Sequence, residues 1–357
     1  MNTVKLSLEN SSYNAYIGAG AINELPTFLR SSARSKKLVL ITNPTVLKLH
    51  GERLQSQLTK HCFEVEVLTI PDGEEHKSLK SAETLYTELC DREIDRHTTV
   101  IALGGGVIGD IAGFVAATYM RGVALVHIPT TLLAQADSSI GGKTGVNLAK
   151  YKNQVGVFYQ PQAVFSDSAV LQTLPTEHIA NGLAEIIKSS VIGDSQLFAL
   201  LRQNIDDIQS RNEKVLEEVI VRAVTVKASV VRGDEKDHGI RNTLNFGHTV
   251  GHALESISSY KLNHGSGVAI GMIIASRIAH NMGLFSAAEL ASLIDLIDRA
   301  GLPTSLPKTD TTAIVEAVRH DKKASLGFPL FILPERIGKV IISDKVTPEM
   351  LIESIEK

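Results

Sequence analysis

The chain has little cysteine, no block of like charge and no long apolar run, and each absence excludes a class of protein. Only two of its 357 residues are cysteines, Cys62 and Cys90. Two cysteines build neither a disulfide framework nor a cysteine-rich metal knot. No apolar run approaches the ~18 residues that a membrane helix needs, so no membrane partner is expected. The 36 Lys and Arg are spread along the chain against 39 Asp and Glu, for a formal charge of −3. That leaves no basic stripe for nucleic acid. Residues 1–5 (MNTVK) carry no apolar core or cleavage signal, and a reducing cytoplasm is the expected compartment. Internal repeats, low-complexity segments and Pro/Ser-rich linkers are also missing. What is present is ordinary for a globular protein, 43% hydrophobic and 21% charged, and long enough for two domains.

The first half alternates strands and helices. Residues 4–8 and 13–17 read as a strand pair, and 37–42 (KLVLIT) as a strand buried on both faces. Further strands are expected at 63–70, 99–103, 123–128 and 163–166. Helical periods cover 46–60, 78–92 with Ser78 as N-cap, and 110–118. Such alternation predicts a mostly parallel, doubly wound, Rossmann-like α/β sheet. Beyond about residue 172 the texture becomes helical, at 175–192, 196–208, 213–231, 244–258, 267–281, 286–300 and 311–320. Strand signals return only at 329–333 and 339–342. The expectation is an α/β domain over residues 1–172 and an all-α domain over 173–357.

Within the first domain, Gly104-Gly105-Gly106-Val107-Ile108-Gly109-Asp110 follows a strand and opens a helix. This is the G-x-G-x-x-G context in which backbone approaches a pyrophosphate at a helix N-terminus. The acid usually found ~20 residues further on is missing, because no Asp or Glu lies between Asp110 and Asp137. A nucleotide site of non-standard layout is therefore expected, against the plainer reading of glycines that only let strand and helix pack. Asp72-Gly73-Glu74-Glu75-His76-Lys77 follows the preceding strand; it is either a solvated loop or the place where Glu74 meets a ribose and Lys77 a phosphate. Thr130 and Thr131 follow another strand and suit either a helix cap or a nucleotide. Residues 137–144 (DSSIGGKT) lack true P-loop spacing. Lys143, Lys152, Asn153 and Arg121 form either an anion cluster or a mobile surface loop.

The second domain carries the densest chemistry. Residues 241–252 (RNTLNFGHTVGH) and 264–267 (HGSG) hold three of the twelve histidines. His248 and His252, four apart, share a helix face and by spacing are the ligand pair. His264 adds a third imidazole, and a catalytic divalent site wants about three protein ligands. Elsewhere, Glu185 and Lys188 share a helix face among apolar neighbours, and Lys227 lies in another apolar helix. A buried carboxylate is expensive unless paired or metal-bound.

The segments GGGVIGDIAGFVAATYMRG, IPTTLLAQADSSIGGKTGVN, GLAEIIK and RNTLNFGHTVGHALE followed by HG resemble the 3-dehydroquinate synthase family, part of the sugar phosphate cyclases. The resemblance runs over nearly the whole chain, from Asp72 to the Asp321-Lys322-Lys323 segment. It implies Glu185, His248 and His264 as ligands of a zinc or cobalt ion, which moves His252 from ligand to substrate contact. It implies NAD on Asp72, Gly73, Glu74, Glu75, His76, Lys77, Gly105, Gly106, Val107, Ile108, Gly109, Asp110, Thr130, Thr131, Asp137, Ser138, Lys143, Lys152 and Thr173. It places substrate on Lys143, Asn153, Lys188, Lys227, Arg241, Asn245, His252 and Lys322 (or Lys323), with Arg121 reaching the phosphate site of a partner in a homodimer.

The implied reaction converts 3-deoxy-D-arabino-heptulosonate 7-phosphate to 3-dehydroquinate and phosphate. Its implied course is transient oxidation by NAD, phosphate elimination, re-reduction, ring opening and aldol closure. Two positions depart from the family pattern, Ser266 where many members have Glu and Asn43 where members often have Asp. The alternatives are a related sugar phosphate cyclase, a metal-dependent polyol dehydrogenase of the same fold, and a non-catalytic protein that binds metal and nucleotide.

Overall fold

Leu38, Val39, Leu40 and Ile41 are all fully buried, which requires cover on both faces of the strand they form. The computed structural model describes residues 1–9, 11–149, 151–258, 262–307, 310–319 and 328–356. Lys322 and Lys323 lie outside the described residues. Two units divide the chain: Met1–Pro175 with Leu216–Val224, and Thr176–Val215 with Thr225–Lys357.

The strands of the first unit are β1 (Asn2–Ser7), β2 (Ser12–Ile17), β3 (Lys37–Thr42), β4 (Glu64–Thr69), β5 (Thr99–Gly104), β6 (Ala124–Pro129), β7 (Lys143–Leu148), β8 (Tyr151–Phe158) and β9 (Ala163–Ser166). Seven of them form one sheet in the order β1-β2-β9-β6-β5-β3-β4. Only the β1–β2 pair is antiparallel. Period-2 alternation sorts the core: Val39, Ile41, Val100 and Ala102 face one cluster, and Leu38, Leu40, Ile101 and Leu103 the other. Each Val, Leu or Ile among them contributes about 1.5–3 kcal/mol on full burial. The α/β expectation therefore holds, with helices expected at 46–60 and 78–92 close to their places. The first begins earlier, at Pro44, because Asn43 caps it. Ser78 caps the second. The hairpin β7–β8 carried no strand signal.

The second unit is helical but not strictly all-α. Its helices include Thr176–Gly193, Ser195–Gln209, His264–Asn281, Ala287–Arg299, Thr311–Arg319 and Pro348–Glu356. Helix Glu213–Gly233 ends in it. One antiparallel hairpin, β10 (Phe331–Arg336) with β11 (Lys339–Ser343), stands where the late strand signals lay. The expected helix over 244–258 is broken. A 3₁₀ turn covers Ile240–Asn245, Gly247 takes a left-handed φ of 80°, and the α-helix starts at His248. Helix His264–Asn281 starts three residues before expectation, because the Asn263 side chain accepts the Ser266 N–H at 2.8 Å.

Candidate functional site

Within the first unit the sheet order reverses between β3 and β5. The chain runs one way from β3 to β4, and the other way from β5 through β6 to β9. Ligands of open α/β sheets bind outside the strand carboxyl ends at such a point. The glycine turn leaves β5 there. Helix Gly106–Thr118 begins at once, four residues before the expected start, and its N-cap Gly105 has no capping side chain. A first turn without such a cap suits an anion. A Cβ on Gly105 would sit 3.0 Å from Thr131 Cγ2, and one on Gly106 3.2 Å from Ser138 Oγ. Gly105, Gly106, Thr131 and Ser138 thus line one cradle, with Ile108 buried and Val107, Gly109 and Asp110 half-buried behind it. The Thr130 N–H donates to the Gly104 carbonyl at 2.9 Å. Thr131 Oγ1 accepts the Ala134 N–H at 3.2 Å, so this hydroxyl serves the next turn, Ala134–Ser138, which contains Asp137.

The charged loop after β4 is not uniformly solvated. Asp72, Gly73, Glu74 and Glu75 are exposed and His76 half-buried, but Lys77 is only 4% exposed. Its ammonium donates to the Asp110 carboxylate and, at 2.5 Å, to Asn153 Oδ1. Three residues expected at cofactor or substrate are therefore in direct contact. Glu74 accepts from Asn147 Nδ2 at 2.9 Å, Asp72 accepts from Thr45 Oγ1 at 3.0 Å, and Thr173 Oγ1 lies 3.0 Å from a His50 ring nitrogen. Asn43 Oδ1 accepts the Val46 N–H at 2.8 Å. Lys143 opens β7 opposite Phe158, whereas Lys152 and Asn153 lie near the other end of the hairpin; strand pairing does not put them at one register. Arg121 is exposed, in a turn where Met120, Arg121 and Gly122 all have positive φ.

In the second unit three helices converge. Glu185 is mid-helix in Thr176–Gly193, and His248 and His264 are each the first residue of their own helices. Glu185 Oε1 lies 3.5 Å from His248 Nε2 and 3.3 Å from His264 Nε2. That oxygen is buried and has no hydrogen-bond partner, while Oε2 accepts from the buried Lys188 ammonium. His248 Nδ1 lies 3.2 Å from the Phe246 carbonyl, and His264 Nδ1 lies 2.9 Å from Glu255 Oε1. A partnerless buried carboxylate oxygen facing two imidazole Nε2 atoms, each ring anchored through its Nδ1, fits a divalent ion such as zinc. The spacing pair His248/His252 is thus not the tightest set. His252 joins a second grouping, with Glu255 and His264, and its ring centroid is 5.1 Å from that of His248.

The electrostatics follow the burial. Burial alone would raise Glu185, but Lys188, His248 and His264 hold its carboxyl well below the usual range. Burial pulls His248 well below the usual imidazole value, so it is neutral. Burial would also lower His264, yet the adjacent carboxylates of Glu185 and Glu255 push it up to about 10.

Close backbone packing makes the convergence possible. A Cβ on Gly251 would meet the Gly267 carbonyl carbon at 3.0 Å, and one on Gly271 would fall onto the Gly247 carbonyl oxygen. Gly265 packs on Asn181, whose Oδ1 accepts the Gly265 N–H at 2.5 Å.

Arg241 is 2% exposed and Lys227 7%. The Arg241 guanidinium donates to the Glu235 carbonyl. The Asp234 carboxylate accepts the backbone N–H groups of His238, Gly239 and Arg241 at 3.0, 2.6 and 3.1 Å. Burial would raise Asp234, and these donors hold it below the usual range. Asn245, in the same 3₁₀ turn, donates to Asn242 Oδ1 at 3.4 Å. Sequence reasoning missed Asp234 and Glu255. The Asp-x₃-His-Gly loop signature marked the first; nothing local marked the second.

Known proteins match this arrangement over the whole chain. Models described as 3-dehydroquinate synthase N-terminal and C-terminal match residues 67–181 and 182–324. The 3-dehydroquinate synthase of Dehalococcoides mccartyi (strain CBDB1) is 44% identical over 357 residues, covering 100% of this chain and 99% of the relative. That of Desulforamulus reducens is 46% identical over 344 residues, 96% of each. Among solved structures, the 2-epi-5-epi-valiolone synthase of Streptomyces hygroscopicus subsp. jinggangensis 5008, with NAD⁺ and Zn²⁺ bound, superposes with a TM-score of 0.90 at 29% identity. It covers 98% of this chain and 97% of that one. A 2-deoxy-scyllo-inosose synthase complexed with carbaglucose-6-phosphate, NAD⁺ and Co²⁺ gives 0.89 at 27% identity, with 99% of each chain covered. Glycerol dehydrogenase of Schizosaccharomyces pombe, at 16% identity, shares the fold alone. With family models and full-length relatives in agreement, the chain belongs to the 3-dehydroquinate synthase family.

Proposed function

We propose that the chain converts 3-deoxy-D-arabino-heptulosonate 7-phosphate to 3-dehydroquinate and phosphate in the cytoplasm, with no net redox change. The observation that carries the reading is the partnerless Glu185 Oε1 facing His248 Nε2 and His264 Nε2. Residues 1–172 are the nucleotide domain and 173–357 the metal and substrate domain. Glu185, His248 and His264 hold one zinc or cobalt ion, and the Gly105–Gly106 cradle with Lys77, Asp110 and Thr131 holds NAD. When bound, NAD supplies a hydride acceptor that later returns the hydride, and the ion supplies a Lewis acid for substrate oxygens.

The chain's own residues bind and orient. Arg241, a planar bidentate donor kept in place by the Asp234 loop, takes the substrate carboxylate, with Lys227 beside it in role. Lys143, Asn245 and His252 hold the phosphate, joined by Arg121 from a second copy. Lys188 keeps Glu185 anionic, and Asn153 shares Lys77 with Asp110. A homodimer is supported by the apolar exposure of the β7–β8 hairpin, where Leu148, Tyr151, Val157 and Phe158 are 39–49% exposed.

The test follows inorganic phosphate and 3-dehydroquinate together, with metal-loaded protein and catalytic NAD. Equal release of both, abolished by a chelator and restored by zinc or cobalt, is the expected result. No release from fully metallated, NAD-bound protein overturns the reading. Net NADH formation from a simple polyol would replace it with the dehydrogenase alternative.

A further inference from the structure

We propose that Glu255 is a positioning residue for the metal centre: its carboxylate fixes the tautomer and ring orientation of His264. The inference rests on the reading of Glu185, His248 and His264 as ligands. Glu255 is 2% exposed, on the helix that begins with His248. Its Oε1 lies 2.9 Å from His264 Nδ1, while Nε2 of the same ring lies 3.3 Å from Glu185 Oε1. A neutral imidazole has one N–H and one lone pair. A bound ion would displace the proton on Nε2; the proton on Nδ1 would stay donated to Glu255, and the Nε2 lone pair beside Glu185 would be free for the ion.

The two histidines are anchored differently. His248 Nδ1 meets a neutral acceptor, the Phe246 carbonyl, at 3.2 Å. His264 meets a full negative charge, which raises the basicity of Nε2 and makes it the stronger donor of the pair. The helix seam supplies the reach. Gly251, one turn before Glu255, packs on Gly267, one turn into the helix that starts at His264, and a Cβ on Gly267 would come 3.5 Å from Glu255 Cγ. The same donor atoms permit one rival use of Glu255, as a ligand of a second ion with His252 and His264.

The experiment strips metal from the wild type, Glu255→Gln and Glu255→Ala, and titrates each with Co²⁺. It follows the visible d–d absorption, the binding stoichiometry and, as a fold control, circular dichroism. One equivalent binds in each case. Affinity falls about 10–100-fold in Glu255→Ala and by less in Glu255→Gln, which keeps a carbonyl acceptor of the same length. The d–d band shifts in both variants, and the circular dichroism does not change. Glu255→Gln carries the test alone if Glu255→Ala does not fold. Wild-type affinity and an unshifted band in whichever variants fold overturn the proposal. So does a wild type that takes two equivalents where Glu255→Gln takes one at undiminished affinity, since Glu255 is then a ligand. A wild type that binds no Co²⁺ removes the metal reading itself, and this inference with it.

Discussion

Glu185 sits where a charge is hardest to keep. Its helix buries every residue from Leu183 to Ile192, and a buried carboxylate persists only with positive partners around it. One oxygen has Lys188 and the other faces two imidazoles across a gap. Glu185→Gln keeps the shape and removes the charge. Metal affinity should then fall by more than the about 10–100-fold typical of losing a ligand's outer partner, read as retained metal after dialysis. His127, in β6, is a different case: 5% exposed, with burial pushing it down to about 4. In the unfolded chain it titrates near its ordinary 6.5. The unfolded chain therefore holds more protons between about pH 4 and 6.5. The neutral ring's contribution is complete above about 6.5 and is lost as pH falls toward 4. At about pH 5 the loss from this residue is about 2 kcal/mol. His127→Leu should narrow the gap between urea midpoints at about pH 7.5 and about pH 5 by a matching amount. An unchanged gap would mean that other groups govern acid sensitivity.

At the scale of elements, the two helices that start with His248 and His264 cross on glycine. Gly271→Ala would drive a methyl onto the Gly247 carbonyl, forcing the helices apart. The expected cost is about 1–3 kcal/mol in the denaturant midpoint, with a weaker Co²⁺ titration as the second readout, although Gly271 touches no ligand. The same residues explain what was legible beforehand. Period and apolar runs placed the parallel strands and most helices to within a few residues, because burial on two faces or one writes itself into the pattern. Helix starts were read late at Gly106 and His264 and early at 244. A glycine turn, an Asn cap and a left-handed Gly247 set them, not hydrophobic period. The β7–β8 hairpin was missed because its strands approach through Gly145 and Gly156; a Cβ on Gly156 would meet the Thr144 carbonyl. Glycine-rich strands lack the usual β signal. Spacing alone suggested His248 with His252; a set drawn from three helices leaves no spacing to read.

For the molecule as a whole, the described residues include no helix long and apolar enough to cross a membrane. What its surface does show is a sheet edge with apolar side chains. Strand β8 exposes six of its eight residues, Val157 and Phe158 among them, and monomers rarely leave such a strand bare. Phe158→Asp should weaken self-association at micromolar concentration, seen as a drop in sedimentation-average mass. Turnover should fall with self-association, as the proposed contribution of Arg121 from a second copy requires. A variant that stays fully associated would point to another face.

The glycine seam has a further consequence, for how this chain tolerates change. Gly247, Gly251, Gly267 and Gly271 have no side chain to contribute, yet Gly247 and Gly271 leave no room for an added carbon and Gly251 and Gly267 only a tight 3.0 Å. In a saturation library scored for growth without supplied product, these four positions should be as intolerant as Glu185, His248 and His264. Intolerance alone would then misname them as chemical participants. What they hold is a distance between two backbones, set by atoms that are absent.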